Sequence, residues 1–183
     1  MALWKSLAQR TKHLAVMRDS DGESVSHERM RSLIGALRSP DRLRNAQIIA
    51  ELERASQNAL PHLIDSLHES YATWGTQEHT PTLEVDFRLN AIEALGLMRS
   101  DEAVGIVSFA TKDQMPVIRC YAAEALGRIG DNAACSLLRQ MLSDEHLSVK
   151  RAVKAAMDNL RHSAPGELNH TERTEPDMEE VDH

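Results

Sequence analysis

The chain has few aromatics: two Trp, two Tyr and two Phe make up 3% of its 183 residues. Glycine and proline are scarce too, at eight and six. Sandwiches and barrels draw on aromatic and β-branched runs broken by Gly/Pro turns, so this composition argues against an all-β architecture. Two cysteines, Cys120 and Cys135, are too few for a disulfide framework; a reducing, cytoplasmic setting is expected. No apolar run approaches the roughly 18 residues of a membrane-spanning helix. What the chain does hold is 42% hydrophobic and 27% charged residues, enough for one domain or one short repeat array.

Charge is unevenly spread. The formal net charge is -7. The first 18 residues hold Lys5, Arg10, Lys12 and Arg18 and no acid, whereas 164–183 hold seven acids and one arginine. A net-acidic body argues against binding nucleic acid, which depends on basic groups displacing phosphate counterions. The tail 164–183 has almost no large apolar side chains to offset its ordering entropy, so it is expected to be disordered.

Sliding the sequence on itself by 31 residues brings FRLNAIEALG (87–96), IRCYAAEALG (118–127) and VKRAVKAAMD (149–158) into register. A fixed short period is the mark of stacked units that cannot bury their apolar faces alone. Each unit has the pattern of two helices. Ile118, Ala122, Ala125, Leu126 and Ile129 fall at helical spacing in the first. Gly130 follows as a stop and Asp131 as a cap, with Ser100 in the cap's place one unit earlier. Ala134, Leu137, Leu138 and Met141 share a face of the second. Upstream, RNAQIIAEL (44–52) repeats the first-helix pattern, and ALPHLIDSL (59–67) overlays the second-helix segment that starts at Ala103, at an offset of 44. Helices are expected near 3–17, 26–38, 41–54, 57–69, 86–98, 101–112, 117–129, 132–143 and 148–161. The fold class expected is all-α: a right-handed α-solenoid of about four helical pairs with an odd terminal helix. The repeat domain spans 26–163, preceded by an amphipathic helix and polar linker at 1–25.

The segment VIRCYAAEALGRIGDNAA (117–134) resembles the HEAT repeat, and is most similar to the short bacterial variety first associated with phycobilin lyases, whose pattern is V-R-x-x-A-A-x-A-L-G-x-I-G-D. The resemblance is strong over 86–160, weaker over 28–69 and absent at the ends. It implies an array whose second helices line the binding face. It does not imply one function, since the superfamily holds scaffolds, lyases, an iron hydroxylase and DNA-repair enzymes.

No catalytic constellation stands out. The hydroxylase branch binds iron through His-Glu pairs directly after the repeat arginine, where this chain has Leu89-Asn90, Cys120-Tyr121 and Arg151-Ala152. His27-Glu28 and His68-Glu69 fall out of that register. Cys120 and Cys135 sit beside packing faces, as small hydrophobes do. Arg88, Arg119 and Lys150 recur in register, with Asp113 and Asp144 six residues before the latter two. These are expected to pair between stacked units, with modest effect if exposed. The second-helix face offers only Lys112, Arg139 and the aromatic Phe109, too little positive charge to track phosphates. No metal or cofactor is expected.

The residues that break the repeat carry the partner information. The expected loop 70–85 holds Tyr71 and Trp74, side chains typical of interface anchors. On the second-helix face Asp65, Phe109 and Gln140 take one equivalent place, next to Arg139. The expectation is a non-enzymatic adaptor that binds another protein through Asp65, Tyr71, Trp74, Phe109, Arg139 and Gln140. The alternatives are a tetrapyrrole-handling lyase or chaperone-like factor, as the repeat variety suggests, or a peripheral membrane adaptor. In residues 2–17, Leu3, Leu7 and Leu14 oppose Lys5 and Lys12. That pattern suits a cap on the stack, a membrane-surface helix or a targeting segment.

Overall fold

The computed structural model describes residues 27–76 and 80–163. The expected N-terminal segment at 1–25 and acidic tail at 164–183 lie outside the described residues. Every regular element described is helical: α1 (His27–Ala36), α2 (Arg42–Arg54), α3 (Ser56–Trp74), α4 (Thr82–Met98), α5 (Val104–Ala110, entered through a 3-10 turn at Asp101–Ala103), α6 (Pro116–Ile129), α7 (Asn132–Met141) and α8 (Leu147–Ser163). Each lies on a helix expected from the repeat.

The starts and stops follow from the residues found there. Asp41 accepts hydrogen bonds from the backbone N–H groups of Leu43 and Arg44 at the head of α2, and Asp131 from that of Ala134 at the head of α7. Pro116 opens α6, where its missing N–H costs nothing. Gly130 ends α6 in the left-handed region at φ 73°. Arg99 holds the same repeat position after α4 at φ 51°, a conformation that disfavours a side chain. Ser100 differs from expectation. Its side chain makes no cap bond, and the chain enters α5 through the 3-10 turn.

Helices α2, α4, α6 and α8 pack side by side in a first layer, and α1, α3, α5 and α7 in a second. The arrangement is a helical repeat solenoid, with three complete pairs between the single helices α1 and α8. The core runs its length through buried Leu52, Leu63, Leu67, Phe87, Leu95, Ile118, Leu126, Leu138 and Val153. The first layer owes its close packing to two glycines. A Cβ on Gly96 would lie 2.7 Å from the Ala125 Cα, and one on Gly127 would lie 2.7 Å from the Ala156 Cβ.

The expected 70–85 loop is mostly helix. Residues 70–74 extend α3 and 82–85 begin α4. Ser70, Tyr71, Glu84 and Val85 are all buried. Thr76 is tied down as well, its carbonyl accepting from the Gln114 N–H at 3.2 Å. The stripe Leu60, Leu63, Ile64, Leu67 continues to Tyr71 at helical spacing, so the extra residues serve packing.

Gly96→Ala and Gly127→Ala should each destabilise the array by about 1–3 kcal/mol, because neither neighbour can retreat without moving a helix. Gly35→Ala in α1 meets nothing within 4 Å and should gain about 0.5–1 kcal/mol from helix propensity. Thermal midpoints of the three variants check this; equal midpoints would show that methyl-width contact does not set the layer spacing.

Candidate interaction surface

A buried arginine underlies the second-layer face. Arg88 is 0% exposed. Its Nε donates to the Ser70 Oγ at 2.8 Å, its Nη2 to the Ser70 carbonyl at 3.1 Å and its Nη1 to the Asp113 Oδ2 at 3.1 Å. The guanidinium also lies 4.1 Å from the centre of the Tyr71 ring. Asp113 accepts from the Met115 N–H at 2.9 Å, so one carboxylate joins α4 to the α5–α6 turn.

Arg119 repeats the motif one unit on. It donates to both Asp144 oxygens, at 2.7 and 3.0 Å, and to the carbonyls of Asp113 and Gln114 at 2.8 and 3.1 Å. The pairing differs from the expected one. Each Asp bonds the arginine 25 residues upstream in its own unit, and the next arginine reaches Asp113 only through its carbonyl. The Arg88–Asp113 pair is fully buried, which makes loss of one partner costly, and the Arg119–Asp144 pair is largely so. Lys150 joins no such pair among the described residues. Burial alone would raise the Asp144 pKa; bonds from Arg119 and the His146 N–H outweigh it and hold the carboxyl below its ordinary range. Burial, then the Asp113 charge, pushes the Tyr71 hydroxyl well up, against the Arg88 guanidinium.

Tyr71 is therefore no exposed anchor but a 6% exposed core residue, fixed by Arg88. It supports one that is exposed. The Phe109 ring, 40% exposed, stacks on Tyr71 at 6.1 Å between centres and meets the His68 ring edge-on at 6.4 Å. Trp74, 42% exposed, lies one helical turn beyond Tyr71 on α3. Asp65 is exposed one turn before His68, and Arg139 and Gln140 are exposed on α7. The structure thus gathers His68, Tyr71 and Phe109 and leaves Asp65, Arg139 and Gln140 as separate polar points in the same layer. His68 falls on the expected second-helix face with Asp65 and Phe109 but was not among the expected anchors; its contact with the Phe109 ring shows only in the structure.

A different concavity lies on the first layer. A groove of about 450 Å3 runs between α2 and α4 and ends at Tyr121 of α6; none of the six expected site residues lines it. Among the described residues no three His, Cys, Asp or Glu side chains gather as a metal site. Cys120 and Cys135 are free and half-buried. No helix described is long and apolar enough to cross a membrane.

Residues 81–158, from the head of α4 into α8, match the family model for HEAT repeats. This stretch is a HEAT repeat array. The match is to HEAT repeats as such and does not distinguish the phycobilin-lyase variety. Repeats of this family generally mediate protein–protein interaction. No curated protein matches the chain.

Arg88→Met should cost about 3–5 kcal/mol, since it strands the Asp113 carboxylate in the core; a chemical-denaturation loss below about 1 kcal/mol would show that the clamp is not structural. A pH effect follows from α1 and α3, where the His27 and His62 rings meet at 2.9 Å. Burial, then the charges of His27 and Arg31, lowers the His62 pKa below 6.5 against the pull of Asp65. Above that value both folded and unfolded chains hold a neutral ring. As pH falls below it the unfolded chain takes the proton first, so stability drops until the folded-state pKa is passed. His62→Gln should flatten that fall in melting curves between about pH 7 and 5.

Proposed function

We propose that the protein is a non-enzymatic HEAT-repeat adaptor that binds a partner protein through its second-layer face, with Phe109 and Trp74 as anchors. One observation carries this reading: Phe109 is exposed, yet its ring is already held by Tyr71 and His68. An aromatic fixed before docking loses little rotamer freedom on binding, which is what makes a few residues dominate an interface. Asp65, Arg139 and Gln140 add exposed groups of different charge elsewhere in the same layer, and these would set register and choice of partner more than affinity.

The test is affinity capture from the native cell with the folded wild-type chain and three variants. A partner held by the wild type should be weakened by Phe109→Ala and by Trp74→Ala, each by about 2 kcal/mol, or roughly thirtyfold. Cys120→Ser with Cys135→Ser should bind as wild type. Normal binding by both aromatic variants, with loss in the folded double-cysteine variant, would replace the adaptor reading with thiol chemistry.

A further inference from the structure

The groove on the first layer has an origin in the repeat. Aligned by burial, Asn45, Ile48, Ile49 and Leu52 of α2 take the places of Arg88, Ala91, Ile92 and Leu95 of α4. Glu53 then stands where α4 has Gly96 and α6 has Gly127. With a glutamate at that position α2 and α4 pack less closely than α4 and α6 do, and a trench of about 450 Å3 stays open between them. Exposed Ala46 and Ala50 give its α2 side little bulk. Leu89 and Leu97 of α4 and Tyr121 of α6, each half-buried, form the apolar wall opposite.

The rim of the trench carries charge that the array does not answer. Asp86 and Glu93 stand two turns apart on α4, about 10 Å, with Leu89 between them and Glu53 across on α2. None of the three carboxylates joins an ion pair among the described residues, and the cation among the residues lining the trench is Arg42. The next unit shows the difference. Glu124, in register with Glu93, pairs with Arg128 one turn on at 3.9 Å; α4 has Leu97 in the place of that arginine. The exchange takes a cation from Glu93 and adds an aliphatic side chain to the same wall. Acid and leucine therefore alternate turn by turn along α4, as Asp86, Leu89, Glu93 and Leu97.

We propose that the trench is a second docking site, taking a basic amphipathic helix of a partner protein. Lysine or arginine side chains two turns apart on that helix meet Asp86 and Glu93, and an aliphatic side chain between them meets Leu89 and Leu97. Charge complementarity selects this occupant, since three unpaired carboxylates repel nucleic acid and anionic lipid and attract a cationic segment. The wall selects a helix. Its pattern repeats once per turn, about every 5.4 Å, which a helix lying alongside can match; same-side residues of a strand recur about every 7 Å. Exposed ion pairs contribute little alone, so the apolar stripe supplies the affinity and the acids set orientation and encounter rate. The trench lies on the layer opposite Phe109 and Trp74, and its occupancy is independent of theirs.

The probe is a short synthetic helix with a leucine stripe flanked by lysines, compared with versions carrying glutamate for lysine or serine for leucine. Titrated into the isotope-labelled full chain, it should shift the amides of α2, α4 and Tyr121, with an affinity that falls as salt rises. Both comparison peptides should bind about tenfold more weakly or worse. Glu53→Lys with Glu93→Lys should weaken the probe by a similar factor, and so should Leu97→Arg, which puts back the arginine of the next unit; helical circular dichroism checks that each variant is folded. Phe109→Ala with Trp74→Ala, and Glu69→Lys with Glu102→Lys in the second layer, should bind the probe as wild type. Four results overturn the proposal: no binding, or amide shifts that fall outside the trench; equal loss on reversing Glu69 and Glu102, which assigns the binding to net charge; equal binding by the serine peptide; and a dimer in sedimentation that the trench reversal dissociates, which assigns the trench to a second copy.

Discussion

The spacing of the first layer is set by the width of a methyl group. Gly96 against Ala125 and Gly127 against Ala156 let α4, α6 and α8 close to distances that a Cβ on either glycine would forbid. The rest of the array is arranged around that contact. The arginines near the starts of the first-layer helices point inward in successive units, and Arg88 and Arg119 bond aspartates at equivalent turns. A buried guanidinium needs acceptors for its donors, and Ser70, Asp113, Gln114 and Asp144 supply them. Packing therefore fixes the layer, and the polar network fixes how the second layer hangs from it.

This dependence explains what sequence could show. From α4 to α8 the 31-residue register carries small residues, caps and stops together, so helix positions and the HEAT resemblance were legible. Upstream they were less so. RNAQIIAEL repeats the first-helix pattern well enough to mark a helix, but its register on α4 shows only in which residues of α2 are buried. The 70–85 segment was misread for a related reason. Ser, Thr and Gly suggest a loop, whereas Tyr71 continues the stripe from Leu60 to Leu67, and only its contact with Arg88 shows that it faces inward.

The arginine ladder was visible as a pattern, and its modest expected effect was tied to exposure, which the pattern could not give. In water an Asp–Arg pair contributes little. At 0% and 1% exposure the same pair is a constraint whose cost appears when one partner is missing. Periodicity reports which residues recur, but the depth at which they recur depends on the glycines of the neighbouring helix, so burial cannot be read from one unit alone.

The two faces of the array then differ for a single cause. Where the glycine rule holds, the second layer is drawn taut and Phe109 is presented on a support of Tyr71, Arg88 and Asp113, each fixed by the next. Where Glu53 replaces the glycine, the first layer is slack, a groove opens and Asn45 keeps an acceptor without a donor. A taut face offers a preformed surface that a partner meets without reordering it. The α4–α8 half is thus the part of the array in which glycine packing and the arginine network together present a preformed surface.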